Sequence, residues 1–393
     1  MRNTFCEIMK NVYLRENFSC MNPFILSPHT PEPYFCDRHK ETETIIRYLD
    51  NGSNLTLISP RRYGKTGLIY HVFDVLHSQG KNYETYYADI YPSRNIEDFI
   101  ALIAEAIYGR LEGPASVKAL FEKLKAVRPV LSQDPVTGTP QLSFSFQSEN
   151  EKRHTLKTLF DYLEHRKKKV IFAIDEFQQI RQYEGISAEA LLRAYIQPLK
   201  NVRFIFSGSR RHIMADMFTG EKSPFYESAA AYPIDRIPAE TYATFIHEMF
   251  EKEGRKISGE AVDFILEWTF RHTYYTQFLC NRVFQLTRKE ATMTEVFQAI
   301  DDILKENTDL FLERRNLLTR KQWDFLIAVA KEKEVVQPTS ATFLRKYGLG
   351  APSSAVRLLQ ALVEKELLLE NKSLSGSSFR VYNVFFSRWL ERL

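Results

Sequence analysis

Short apolar runs separated by amphipathic stretches fill the middle of the chain. Leu55 to Ser59, Glu84 to Ile90, Val170 to Ile174 and Val202 to Phe206 read as strands, with a last one near Ala229 to Ile234. Val170 to Ile174 is uninterrupted by any polar residue, as in a parallel strand buried on both faces. Between the strands, helical spacing predicts helices over Gly64 to Ser78, Ile96 to Leu111, Glu151 to His165 and Ala188 to Pro198. An amphipathic helix from Arg38 to Leu49 precedes them, entered through Pro23, Pro28, Pro31 and Pro33 and closed by an Asn51-Gly52 turn. Strands alternating with helices predict an α/β fold, a parallel sheet covered on both faces with its ligand site at the strands' C-terminal ends. Pro129 to Phe146 breaks the alternation: Leu142, Phe144 and Phe146 alternate with Ser143 and Ser145, and Thr137-Gly138 supplies a turn. An inserted hairpin over about 128–147 is expected there.

From Ala239 to Phe311 the pattern reads as helices only. From Leu317 it changes again: helices over Lys321 to Lys331, Ser340 to Tyr347 and Ser353 to Lys365, then strands at Leu367 to Glu370 and Phe379 to Tyr382. That is the order of a winged helix. The expected organisation is therefore a core over 1–238, a helical segment over 239–316 and a winged helix over 317–393.

Composition narrows the classes. The chain has 393 residues, 44% hydrophobic and 26% charged, which excludes disorder, collagen and coiled coil. Lys+Arg 53 against Asp+Glu 49 gives +4, too little to imply a polyanionic partner by itself. From Leu317 onward, 12 Lys/Arg face 7 Asp/Glu, so any basic surface is C-terminal. No apolar stretch approaches the roughly 18 residues of a membrane span, and the first residues, with Glu7, Lys10, Arg15 and Glu16, lack the apolar core of a signal peptide. Cys6, Cys20, Cys36 and Cys280 form no C-x-x-C pair, so neither a disulfide framework nor a zinc site is suggested. A cytoplasmic protein without a membrane partner is expected.

The chemistry concentrates in three places. Ser59-Pro60-Arg61-Arg62-Tyr63-Gly64-Lys65-Thr66, between a strand and a helix, matches G-x-x-x-x-G-K-[ST] except at its first glycine. A phosphate needs converging backbone N–H groups, a helix N-terminus and a cation. The loop, the helix from Gly64 and Lys65 would supply them, and Thr66 would place its hydroxyl on Mg²⁺. Ser59 and Pro60 stiffen the turn and are expected to reshape it slightly. Val170 to Ile174 then ends in Asp175-Glu176, one carboxylate for the metal through water and one to orient the attacking water. After the next strand, Ser207-Gly208-Ser209-Arg210-Arg211 would face the γ-phosphate. There Ser207 senses it, and Arg210 or Arg211 neutralises charge in cis or from a neighbouring subunit. The alternative is a basic surface loop, and for Arg61 and Arg62 it is an ion pair holding the loop in place.

These residues resemble the archaeal-type P-loop ATPases of the STAND branch of the AAA+ superfamily. The resemblance rests on Asn22-Pro23-Phe24, Tyr34-Phe35 through Arg38 and Glu41, Pro60 to Thr66, Asp89, Ile174 to Gln178, and Ser207-Gly208-Ser209. It implies an ATPase core, a helical lid and a C-terminal winged helix, with ATP and Mg²⁺ bound and adenine near Pro33 to Arg38, hence Tyr34 and Phe35. Tyr274-Tyr275-Thr276-Gln277 resembles a family segment near the nucleotide, with Arg271 and Thr273 where relatives have a small residue and proline. The bland alternative for the two tyrosines is helix packing. Asp37 stands where a glycine is common, and Gly67, within the phosphate-binding stretch, where Ser or Thr is usual.

In the winged helix, Ser353, Ser354, Arg357 and Gln360 could read bases, while Arg345, Lys346, Lys372 and Arg380 could touch phosphates. The expected function is Mg-dependent ATP binding and hydrolysis that switches lid and winged helix for a protein or double-stranded DNA partner, oligomeric or not. The alternatives are a non-catalytic ATP-gated DNA-binding regulator and a protein-binding scaffold with a decayed site.

Overall fold

The central apolar run shows how the sheet is built. Successive side chains of a strand point to opposite faces. Val170, Phe172 and Ile174 accordingly join one buried cluster, and Ile171 and Ala173 the other. The computed structural model describes residues 22–111, 117, 118, 120, 122, 124, 130–133, 140–185, 187–373 and 376–393. In chain order its first strands are β1 (Leu55–Ile58), β2 (Tyr83–Asp89), β3 (Val130–Gln133), β4 (Pro140–Ser143), β5 (Lys169–Asp175), β6 (Val202–Gly208) and β7 (Ala230–Pro233). Five of them form one sheet in the order β2-β5-β6-β1-β7, every pair parallel. β1 lies between β6 and β7, so the loop leaving it sits where the strand order reverses, the position at which such sheets bind ligands.

Helices His39–Asp50 and Lys65–Ser78 supply Ile45, Leu49, Leu68, Val72 and Phe73 to the Ile171 face. Ile96–Tyr108, Glu149–Glu164, Ala188–Ile196 and Arg211–Thr219 pack on the other. There Phe204 and Phe206 stack at 5.7 Å and Phe172 lies 6.2 Å from Phe204. Each fully buried ring contributes roughly 1.5–3 kcal/mol. The helix over Arg211–Thr219 had no counterpart in the sequence reading. β3 and β4 pair antiparallel, as the expected hairpin requires. β4 stops at Ser143, however, and Phe144 and Phe146 leave the strand to pack partly on the core. The Thr137-Gly138 turn lies outside the described residues, as do Cys6, Cys20 and the acidic and basic residues of the first segment.

Leu26–Ile237 forms one compact unit; Pro238–Leu393, joined by Asn22–Ile25, forms another. Phe24 is fully buried in this second unit against Phe245, Phe250 and Phe284; Asn22 Nδ2 donates to the Asn281 carbonyl and Asn281 Nδ2 to the Phe24 carbonyl, each at 2.8 Å. The stretch expected to be purely helical carries two short parallel strands, β8 (Lys256–Ile257) and β9 (Glu290–Ala291). They bring together the chain just before Ser258 and Thr292, which N-cap the next helices.

The winged-helix order is present. Helices Arg320–Lys331, Ala341–Tyr347 and Pro352–Glu364 precede the antiparallel pair β10 (Leu368–Ser373) and β11 (Gly376–Val381). Thr319 and Gln322 close the first helix with a capping box. A bridge from Val335 to Phe379 and a last helix, Val384–Leu390, complete it.

Candidate functional site

β1 ends at Ile58 and the next helix begins at Lys65, so Ser59 to Gly64 form the connecting loop. Gly64 flanks the helix at φ +89°, and no side chain caps it. The positive end of a well-formed helix thus opens at this glycine, the arrangement that attracts anions. The other left-handed residue of the loop is Arg62, at φ +65°, a conformation costing a non-glycine residue about 1 kcal/mol. Ser59 is not among the positive-φ residues, so its backbone does not require a glycine there.

Lys65 is buried, its Nζ donating to the carbonyls of Ser59 at 3.0 Å and Pro60 at 3.1 Å. Burial pushes its pKa below the usual lysine value; Asp175 and Glu176 oppose the shift and Arg61 adds to it. Thr66 Oγ1 donates to Asp175 Oδ2 at 2.7 Å, and the Tyr87 hydroxyl donates to the same oxygen at 2.9 Å. Burial, then Asp175 and Asp89, push the Tyr87 hydroxyl well up, keeping it a donor. Asp175 Oδ1 accepts from the Glu176 amide at 2.9 Å. Asp89 lies beside Asp175 in the β2–β5 register. Its carboxyl, although the residue reaches solvent, is pushed up by desolvation and by Asp175 and Glu176, against a bond from the Tyr91 amide.

Glu176 sits at φ +54°. Its Oε2 accepts from Ser209 Oγ at 2.8 Å and from the Gln178 amide, and Arg61 Nε donates to Ser209 Oγ at 3.3 Å. The serine that meets Glu176 is therefore Ser209. Ser207, singled out from the sequence, is completely buried and its hydroxyl has no hydrogen-bond partner among the described residues.

A family described as an ATPase domain predominantly from Archaea matches residues 35–272, and one described as a probable winged helix domain matches 309–392. The chain belongs to the archaeal ATPase family.

Among solved structures, this archaeal-type ATPase is similar to the Walker-type ATPase PABY2304 of Pyrococcus abyssi, with 18% identity and a TM-score of 0.64 over 94% of this chain and 100% of that one. It is also similar to the Aeropyrum pernix ORC2 protein in ADPNP-ADP complexes, with 15% identity and a TM-score of 0.59 over 94% and 96%. A third similarity is to the Aeropyrum pernix ORC1 protein in complex with DNA, with 11% identity and a TM-score of 0.52 over the same shares. At these identities the likeness speaks for the fold, an AAA+-like core followed by a winged helix. No curated protein matches the chain in sequence.

Beside the loop Ser59 to Gly64, Phe35 stacks on His71 at 4.2 Å, and burial lowers the histidine's pKa. A Cβ on Gly67 would stand 3.3 Å from the Pro28 carbonyl and 3.5 Å from the Phe35 ring. The missing side chain thus makes room for the segment that carries Tyr34 and Phe35. Asp37 adopts φ +58°, which explains why glycine suits that position, and Arg38 follows at φ +71°. The Arg38 guanidinium binds Glu41 at 2.6 Å and the Asp235 carbonyl at 2.7 Å, tying this segment to the end of β7. Pro60 and Tyr63 are buried within the loop. Arg210 flanks, and Arg211 begins, the helix Arg211–Thr219, both half-buried.

In the second unit, Tyr275 is buried against Phe385 and His272, and Thr276 bonds Thr269 at 2.7 Å, so this segment has a packing role there. Helix Pro352–Glu364 buries only Ala355 and Leu362, leaving Ser353, Ser354, Arg357 and Gln360 exposed. Arg380, expected on the surface, is buried with its guanidinium over Phe270. Lys346 is paired with Glu332. No helix among the described residues is long and apolar enough to cross a membrane.

Tyr87, Gln178 and Ser209 are the site residues that role assignment from sequence missed. Ser209 stood two places beyond Ser207, and only the end of β6 at Gly208 decides which of the two faces Glu176. Tyr87 carries no motif; its signal is the strand register that sets it near Asp175.

Proposed function

We propose that this ATPase binds Mg-ATP on the loop Ser59 to Gly67 and hydrolyses it. The observation that supports this most directly is the contact between Thr66 and Asp175, 2.7 Å, beside a buried Lys65. Lys65 takes the phosphates once they replace its two carbonyl partners. Thr66 and Asp175 offer an all-oxygen donor pair, which suits Mg²⁺; that ion prefers one or two carboxylates supplemented by phosphate and water oxygens. When bound, it neutralises charge on the phosphates.

Glu176 orients water for in-line attack, and Ser209, with Arg61 or the arginines 210 and 211, responds to the γ-phosphate. Tyr34 and Phe35 border the adenine. The nucleotide state then moves the lid and winged helix for a partner, the work expected of the STAND branch, in a cytoplasmic setting.

The exposed row Ser353, Ser354, Arg357 and Gln360 favours DNA as that partner, and a regulator that holds ATP without turnover is the second reading. The test is calorimetry together with phosphate release. Lys65→Ala should lose at least about 100-fold in Mg-ATP affinity, or about 2.7 kcal/mol. Glu176→Gln should bind within a few-fold of wild type and lose about 100-fold or more in turnover. Full affinity in Lys65→Ala would sink the loop assignment. Binding without turnover in the wild type, together with salt-sensitive duplex binding weakened by Arg357→Ala, would select the regulator.

A further inference from the structure

Glu176 is gripped from two other elements, and one of them leads back to the phosphate loop. The polarity of that connection is fixed by chemistry, since a guanidinium has only N–H groups to give. Ser209 Oγ must accept from Arg61 Nε at 3.3 Å, and its single proton is then committed to Glu176 Oε2 at 2.8 Å. The guanidinium, hydroxyl and carboxylate form a chain in which each bond polarises the next.

Gln178 donates to the same Oε2 from a built position. A Cβ at Gly208 would stand 2.3 Å from Gln178 Oε1 and 2.5 Å from Met214 Sδ, so the glycine is what lets the amide lie there. Gln178 is buried, and its Oε1 has no hydrogen-bond partner among the described residues, an arrangement that costs the desolvation of that oxygen. Glu176 adds the cost of its left-handed backbone. Packing alone would favour an apolar side chain at 178. The position of the Glu176 carboxylate is what these costs maintain.

We propose that Arg61 and Ser209 form a relay reporting occupancy of the phosphate loop to Glu176, with Gln178 as a fixed positioning residue on the same carboxylate. The proposal rests on the reading that the loop binds a nucleotide's phosphates. As the side chains stand, the carboxylate oxygen is filled by two donors. A phosphate offers Arg61 a charged and bidentate acceptor, stronger than a neutral hydroxyl at 3.3 Å. Once Arg61 turns to it, Ser209 loses its donor and can rotate. Glu176 then keeps Gln178 as its anchor and gains acceptor capacity for water. The carboxylate is thereby engaged when the loop is empty and released for its task when the loop is full.

The test is a double-mutant cycle on the full chain, Arg61→Ala, Ser209→Ala and both, read by differential scanning calorimetry. Without nucleotide, the double variant should melt within about 1 °C of the less stable single variant, because either change breaks the same relay. Ser209→Thr, which keeps the hydroxyl, should preserve the coupling. With saturating Mg²⁺ and a non-hydrolysable ATP analogue, the coupling should vanish, and Arg61→Ala should show a smaller nucleotide-induced rise than Ser209→Ala. Additive effects without nucleotide, or equal coupling in both conditions, would overturn the relay. If the analogue fails to raise the wild-type melting temperature, the phosphate reading falls and takes the trigger with it; a normal rise with unchanged coupling removes the relay alone. Gln178→Ala should lower kcat about tenfold with KM within twofold. A matching rise in KM would remove its positioning role.

Discussion

Arginines are buried or half-buried in both compact units, and their partners differ in kind. At the sheet end that carries the loop Ser59 to Gly64, Arg61 meets a serine hydroxyl, with the exposed Tyr91 ring 5.9 Å away, and the neighbouring Lys65 meets two carbonyls. In the second unit, Arg388 lies 4.4 Å over Phe270 and 5.5 Å over Trp268 while bonding the Trp268 carbonyl at 2.9 Å and Glu391 at 2.9 Å. Arg380 covers the same Phe270 ring at 5.3 Å. Hydrogen-bond partners of the first kind can be exchanged for a phosphate with little loss, since the exchange trades one oxygen acceptor for a better one. Guanidinium groups set between rings and main-chain carbonyls cannot leave without exposing apolar surface and orphaning buried acceptors. The first arrangement suits a ligand site; the second suits a permanent joint between the helices after Pro238 and the winged helix.

The largest expected effect falls on the permanent joint. Arg388→Ala should destabilise the second unit by about 2–4 kcal/mol, through lost stacking, an unpaired Trp268 carbonyl and an uncompensated Glu391. All three tryptophans, Trp268, Trp323 and Trp389, belong to this unit, so their fluorescence in urea reads it separately. A change below about 0.5 kcal/mol would mean that the stacking is decorative and the contrast false.

Gly208→Ala should cost about 1–3 kcal/mol, because the new methyl group collides with Gln178 and Met214. It should also reduce turnover more than nucleotide affinity, since it displaces the residue that anchors Glu176. Equal loss of both, by calorimetry and phosphate release, would show that the loop itself had moved.

The smallest effect is electrostatic. Phosphates would need Lys65 charged, whereas burial lowers its pKa. Binding therefore takes up a proton at alkaline pH, and affinity should decline as pH rises through the lowered lysine value, about tenfold per unit well above it. Lys65→Arg, which stays charged, should flatten that limb. A flat limb in the wild type would mean that Lys65 keeps its proton in the empty site.

Much of the fold was legible because its signals are local. A continuous apolar run, a strand followed by Gly64-Lys65-Thr66, and a strand ending in Asp175-Glu176 are each readable within a few residues, and the structure sets them side by side through parallel strands β1 and β5 flanking β6. The helices of the winged helix were readable from periodicity and from the Thr319 to Gln322 cap. The short helix Arg211–Thr219 and the two-residue strands β8 and β9 were not, since elements of that length carry too little pattern to stand out.

What the sequence determined by itself is the chemistry that travels with residue type and spacing: a lysine and a threonine at a helix start, two acids at a strand end, and an α/β alternation that puts them at the C-terminal ends of a sheet's strands. Only the tertiary structure decided which neighbours those groups have. Ser209 rather than Ser207 reaches Glu176, because β6 ends between them. Tyr87 supports Asp175 through the register of another strand, Gly67 yields its space to Phe35, and Arg380 turns inward onto Phe270. Each of these depends on distances between residues far apart in the chain, which local spacing does not encode and side-chain packing fixes.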